Sequence, residues 1–331
     1  MERAGFMGLR TGVAQISDPG QRVILEERLE WMNKAGVAYW KVDWGKKDAD
    51  PQWRSFLTRL GKKIAPNLQI EHALTPAALA FAEIYRTYDV ENIIAVPQTI
   101  SRVGALLTGV AGGRKTSIIN CEDEPYIAAG TGSSIGIMRH EFNGKLPDGV
   151  QDFVFPPLGR DLKDRLDEVT RAVRWHRIAA PFPIDQGSIY VDTVKLRDYW
   201  VMGEKETYVN RKAGAVVEQS APAVIARGLE KPVVTLVNGD TLKPYILASK
   251  YPGGAIAVSA IGRTIQRAYL TPRADVLLKA DALDKPIGIF GRYHQLTIRF
   301  TAPGADKESN GPGPGRRYAC GDYQKCNDKT S

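Results

Sequence analysis

Tyr39-Trp40-Lys41-Val42-Asp43-Trp44-Gly45 is a short apolar run that ends in a carboxylate bracketed by tryptophans. Upstream of it, Asp18-Pro19 reads as an N-cap followed by proline in the first turn of a helix. Leu25, Leu29 and Met32 fall on one face at i, i+4 and i+7, and Gly36 stands where a helix stops. Helix, tight turn, then buried strand with a polar residue at its carboxyl end is the grammar of a parallel α/β protein. In such folds that residue is more often catalytic than structural. A tryptophan beside a carboxylate suits a sugar, whose apolar ring faces stack while its hydroxyls are hydrogen-bonded. A plain cap of the following turn by Asp43 is an equal rival on spacing alone.

Outward from this stretch, short apolar runs at Gly8–Val13, Val37–Val42, Leu68–Glu71, Ile84–Thr87, Ser117–Asn120 and Ser134–Met138 predict strands. Between them, Trp53, Phe56, Leu57, Leu60 and Ile64 share one helical face, as do Ile100, Val103 and Leu107. Leu162, Leu166, Val169 and Val173 mark a long helix from near Arg160. Strands alternating with helices of about 10–15 residues imply βα units and a parallel sheet.

From Gln186 the helical period is lost. Short β-rich pieces follow at Ser188–Val194, Ala215–Val217, Val233–Val237, Tyr245–Ser249, Ala255–Ile261, Pro286–Phe290 and Gln295–Phe300. Turn signals such as Asn238-Gly239-Asp240 separate them, and Leu296, Ile298 and Phe300 alternate with Thr297 and Arg299. The pattern predicts an α/β domain over 1–183 and an antiparallel β-sandwich over 184–303, with the boundary at Ala180–Pro183. Residues 304–331 hold five glycines and no Ile, Leu, Val, Phe, Met or Trp, which predicts a flexible tail.

Composition narrows the classes of partner. The 331 residues are 43% hydrophobic and 25% charged, and no stretch nears a membrane span of about 18 apolar residues. The net charge of +8 is scattered, without a basic tract carrying interleaved aromatics, so no nucleic-acid partner is expected. The opening Met1–Gly8 lacks the long apolar region of a secretory signal, and the compartment stays open: cytoplasm, or outside the cell if the true start lies upstream. Of the three cysteines, Cys121 reads as a buried thiol; Cys320 and Cys326 suit a mutual disulfide, a weak metal site or neither. Without clustered histidines no metal is expected. Gly109–Gly113 lacks the Lys-Ser/Thr of a phosphate loop, so no cofactor is expected either.

Lys41-Val42-Asp43-Trp44-Gly45 is followed in order by Tyr85-Arg86-Thr87-Tyr88-Asp89-Val90 and by Asn120-Cys121-Glu122-Asp123-Glu124-Pro125. Together these resemble the catalytic barrel of the α-galactosidases and their relatives, glycoside hydrolase families 27 and 36. The resemblance covers residues 8 to 180 and implies a (β/α)8 TIM-type barrel with Val37–Val42 as strand four. Strands three to eight are then present and the first two missing, so the chain looks truncated at its N-terminus. A β-sandwich after the barrel also fits these families. The paired aspartates that they carry on strand one have no counterpart here, and Glu71-His72-Ala73-Leu74 departs from their strand five.

The resemblance implies a retaining glycosidase. Asp43 is the nucleophile, kept ionised with Lys41 close by, and Asp89 is the acid/base. For Asp89 the bland alternative is a helix N-cap before Asn92–Leu107. Arg86 and Asp123 are candidates for an ion pair that positions substrate, with a structural salt bridge as the equal rival. Trp44 is the sugar platform, while Trp40 faces the core or helix layer. Glu71, His72, Arg139 and His140 fall at strand ends; a satisfied buried histidine is the commoner outcome for the latter type. The expected partner is a glycoside, oligosaccharide or polysaccharide, and a homo-oligomer stays open. The rivals are a sugar-binding or interaction protein without turnover, and another barrel enzyme using Lys41 as a Schiff base.

Overall fold

The computed structural model describes residues 19–42, 50–73, 75–87, 94–109, 115–122, 124–136, 162–206, 211–236, 239, 241–270, 273–280, 285–291, 295–301, 317–321 and 326–328. The chain forms two compact units that are discontinuous in sequence. One comprises Met1–Tyr88, Gly109–Asn120 and Pro183–Asp185; the other comprises Asp89–Thr108, Cys121–Phe182 and Gln186–Ser331. The change of pattern at Ala180–Pro183 marks where helices give way to strands, whereas packing groups three helices with the strand-rich half.

In the first unit, helices α1 (Pro19–Lys34) and α2 (Pro51–Ile64) accompany four parallel strands: β1 (Tyr39–Lys41), β2 (Gln69–His72), β3 (Ile84–Arg86) and β4 (Ile118–Asn120). The strands lie in sequential order β1-β2-β3-β4. Lys41 stands beside Glu71, His72 beside Tyr85, and Arg86 beside Asn120. Leu25, Leu29 and Met32 of α1 and Leu57, Leu60 and Ile64 of α2 pack with Trp40, Val42 and Ile70, so both helices cover one face of the sheet. Asp50 caps α2, accepting from the Gln52 and Trp53 amides at 2.9 and 3.1 Å, and Pro51 supplies the first turn. Gly61 lets α2 approach closely, because a Cβ there would sit 2.5 Å from Ile70 Cδ1. Among the described residues this sheet has four strands and does not close on itself. The expected strand Gly8–Val13 lies outside those residues. Of Ser134–Met138, Ser134 accepts from the Cys121 amide, and 137–138 lie outside.

The second unit holds α3 (Ala95–Thr108), α4 (Pro125–Thr131), α5 (Leu162–Ile178) and the remaining strands. They are β5 (Ile189–Val191), β6 (Lys195–Val201), β7 (Val216–Pro222), β8 (Val224–Arg227), β9 (Val233–Leu236), β10 (Tyr245–Lys250) and β11 (Ile256–Ile261). Then come β12 (Arg263–Ile265), β13 (Ala268–Leu270), β14 (Ala274–Lys279), β15 (Ile287–Gly291), β16 (Gln295–Thr301), β17 (Arg317–Gly321) and β18 (Cys326–Asp328). Two five-stranded sheets, β15-β11-β10-β8-β5 and β18-β17-β16-β14-β9, share a core of Val224, Ile246, Val258, Val276 and Ile298.

The antiparallel pairing expected of this half needs correction: β8 runs parallel to β10, β11 to β15, and β14 to β16. The cause is topological. Between β8 and β10 the chain passes through β9 in the other sheet, and between β14 and β16 through β15. A chain that leaves a sheet and returns after one opposing strand re-enters in its original direction. Within 304–331, expected as a flexible tail, Arg317–Gly321 and Cys326–Asp328 form an antiparallel pair beside β16. Ladder bonds are made by the main chain, so strand pairing does not require the large apolar side chains this segment lacks.

Helix α4 is buried throughout and is followed by Gly132 at φ 65°. Side chains from the sheet donate to its carbonyls: Ser259 to Tyr126 O, Tyr251 to Ala129 O, Ser249 to Gly130 O and Arg227 to Thr131 O. Those to Ala129, Gly130 and Thr131 take the place of water at a dry helix end. No helix among the described residues is long and apolar enough to cross a membrane.

Candidate functional site

Alternation along the strands of the first unit sorts its polar residues onto two faces. Trp40, Val42, Ile70 and His72 point toward the helices. Lys41, Glu71, Arg86 and Asn120 point the other way, clustered at the carboxyl ends of four neighbouring strands. Glu71, Arg86 and Asn120 are all buried, with 0%, 2% and 3% of their surface exposed.

Glu71 is the centre of this cluster. Asn120 reaches across β3 and donates from Nδ2 to Glu71 Oε2 at 2.6 Å. Burial pushes the Glu71 carboxyl up from the ordinary range. Hydrogen bonding from Asn120 and Tyr39 and the charges of Arg86 and Lys41 offset this only in part. Glu71 Oε1 and Asn120 Oδ1 are buried without a hydrogen-bond partner among the described residues. The arrangement offers a carboxyl group, an amide and two cationic side chains on one face, which suits a ligand rich in hydroxyls.

His72 belongs elsewhere. It is fully buried on the helix side, with Arg54 Nη1 3.1 Å from Nδ1 and Thr58 Oγ1 2.6 Å from Nε2. Thr58 already donates to the Arg54 carbonyl at 2.9 Å, so its oxygen must accept from His72 Nε2–H while Nδ1 accepts from Arg54. The ring is therefore the neutral Nε2–H tautomer with both nitrogens committed. Burial, then the charge of Arg54, pushes its pKa down to about 3. A substrate-contacting role for His72 is corrected accordingly: alternation puts it on the face opposite Glu71, its immediate neighbour.

Asp43, Trp44, Asp89, Asp123, Arg139 and His140 lie outside the described residues. Of the residues expected at the site, the structure brings together Lys41, Glu71 and Arg86. It adds Asn120, which the sequence reading treated only as the start of a motif, and Tyr39. The signal for Asn120 was its position: it ends β4 as Arg86 ends β3. Trp40 packs in the helix layer, as expected. Among the described residues no group of His, Cys, Asp and Glu could hold a metal ion. Comparison with protein families, with curated proteins and with solved structures gives no match.

Proposed function

We propose that the polar strand-end face of the first unit is part of a sugar-cleaving site of the retaining, α-galactosidase-like type. The observation that carries this reading is the row Lys41, Glu71, Arg86 and Asn120 on one face of four parallel strands in sequential order. It is what a (β/α)8 barrel with strands four to seven at these positions would present. In this reading Asp43 attacks the anomeric carbon and Asp89 protonates the leaving oxygen, then activates water. Lys41 favours the ionised form of a nearby carboxylate by its charge, and Arg86 and Glu71 hold substrate hydroxyls. Trp44 stacks on the sugar, while Asp123 and Arg139 complete the pocket. No cofactor takes part in this chemistry.

A second reading, sugar binding without turnover, is favoured by the four-stranded sheet that does not close among the described residues. A panel of nitrophenyl α- and β-glycosides separates the two. Release from the α-galactoside, lost by at least about 10³-fold in Asp43→Ala and sharply reduced in Asp89→Ala, supports hydrolysis. Saturable binding of a sugar with no release supports the second reading, and neither binding nor release sinks both.

A further inference from the structure

The buried Glu71–Asn120 pair has an imbalance of donors and acceptors. Asn120 Nδ2 donates to Glu71 Oε2 at 2.6 Å, and Tyr39 also hydrogen-bonds the Glu71 carboxyl. The other two oxygens, Glu71 Oε1 and Asn120 Oδ1, are acceptors with no donor among the described residues. Buried acceptors of this kind are rare because each lost hydrogen bond is costly. A proton on Glu71 would supply the donor that both oxygens lack, since an amide and a carboxylic acid are complementary: the amide N–H donates to one oxygen and the acid O–H can donate back to the amide carbonyl.

We propose that Glu71 is held as a carboxylic acid that donates from Oε1 to Asn120 Oδ1, so that the strand-end face stores a proton. Among the described residues, the charged and titratable groups facing Glu71 are Lys41 and Tyr39 from β1 and Arg86 from β3; Asn120 is its neutral partner from β4. Both cations oppose protonation. Burial outweighs them, and the net direction is upward. The catalytic meaning of this proton, a donor at the strand ends of the first unit, rests on the glycosidase reading. The protonation itself does not.

The test is Glu71→Gln, which replaces the acid by an amide of the same shape with the same donor and acceptor. The sign follows from linkage. A carboxyl that holds its proton more tightly in the folded than in the unfolded chain stabilises at low pH and loses that contribution as pH rises through the folded value. The melting temperature of Glu71→Gln should therefore equal or exceed that of the wild type, by a margin that widens as pH rises above the ordinary carboxylate value of 4.5. A Glu71 ionised and held by Lys41 and Arg86 would give the reverse: a variant less stable at neutral pH, by a margin that closes on acidification. Carboxyl-labelled glutamate gives the second measurement. The Glu71 carbon, assigned by its loss in Glu71→Gln, should titrate above the remaining glutamates of the chain. Titration with or below them overturns the proposal even if the variant is stable. Neither readout depends on turnover, so silence toward every glycoside would sink the functional reading and leave this one standing.

Discussion

Glu71 and Asp198 are both fully buried carboxyls, one at the strand-end face of the first unit and one at a ribbon junction of the second, and they are handled in opposite ways. Asp198 has a donor on each of its oxygens. Arg263 Nε donates to Oδ1 at 2.6 Å, Tyr245 donates to the same oxygen at 2.8 Å, and the Thr264 amide donates to Oδ2 at 2.7 Å. Arg263 spends its remaining groups on the Lys243 and Arg197 carbonyls, tying β6, β10 and β12 together. Glu71 Oε1 has no donor among the described residues. Burial pushes both carboxyls upward, but at Asp198 a buried guanidinium stands against that push in direct contact. A buried carboxyl with a donor on each oxygen is a fastener; one with an oxygen lacking a donor is equipped for a proton or a ligand.

The comparison can be broken most directly at Arg263. Arg263→Met leaves Asp198 buried without its countercharge, and a loss of about 3–5 kcal/mol in urea unfolding is expected. A loss below about 1 kcal/mol would mean that Asp198 is not the fastener described. His72 tests the helix side of the first unit. Its neutral, committed ring stabilises the fold above the unfolded value of 6.5, and that contribution is lost as pH falls toward about 3. The wild-type urea midpoint should therefore drop across that window, while His72→Gln, starting lower, should show a shallower slope. Thr58→Val, which strips the acceptor from Nε2–H, should cost about 1–3 kcal/mol at neutral pH. Smaller again, Asp50→Ala removes the cap of α2 and should cost about 1 kcal/mol, read from the same denaturation curves. At the bottom, Arg197→Ala breaks an exposed pair with Glu218 and should cost under about 1 kcal/mol, less in high salt. An effect there as large as at Arg263 would erase the distinction between exposed and buried pairs.

Much of the first unit was legible along the chain because its signals are local. Leu25, Leu29 and Met32 gave α1 its packed face, and the runs ending at Val42, Glu71, Thr87 and Asn120 gave the four strands. In the second unit Lys195–Val201 was missed, because Lys195, Arg197 and Asp198 dilute an apolar pattern that a two-stranded ribbon does not need. Val224–Arg227 was missed for the opposite reason: all four residues are buried, so alternation is absent. For His72 the satisfied buried histidine, the commoner outcome for its type, is what the structure shows, and strand alternation already separated it from Glu71.

Local spacing alone was enough for the periods of the first unit: its helices and parallel strands, the residues that share a face, and the polar groups that end those strands. These depend on spacing within a few residues. Long-range packing settled that strands of the second unit pair in parallel, and that the Ser249 and Tyr251 hydroxyls close the end of α4. It also decided that Asn120 meets Glu71 across 49 residues of chain. Those outcomes follow from where buried donors and acceptors find partners in three dimensions, and no local spacing encodes the partner of an atom on a distant strand.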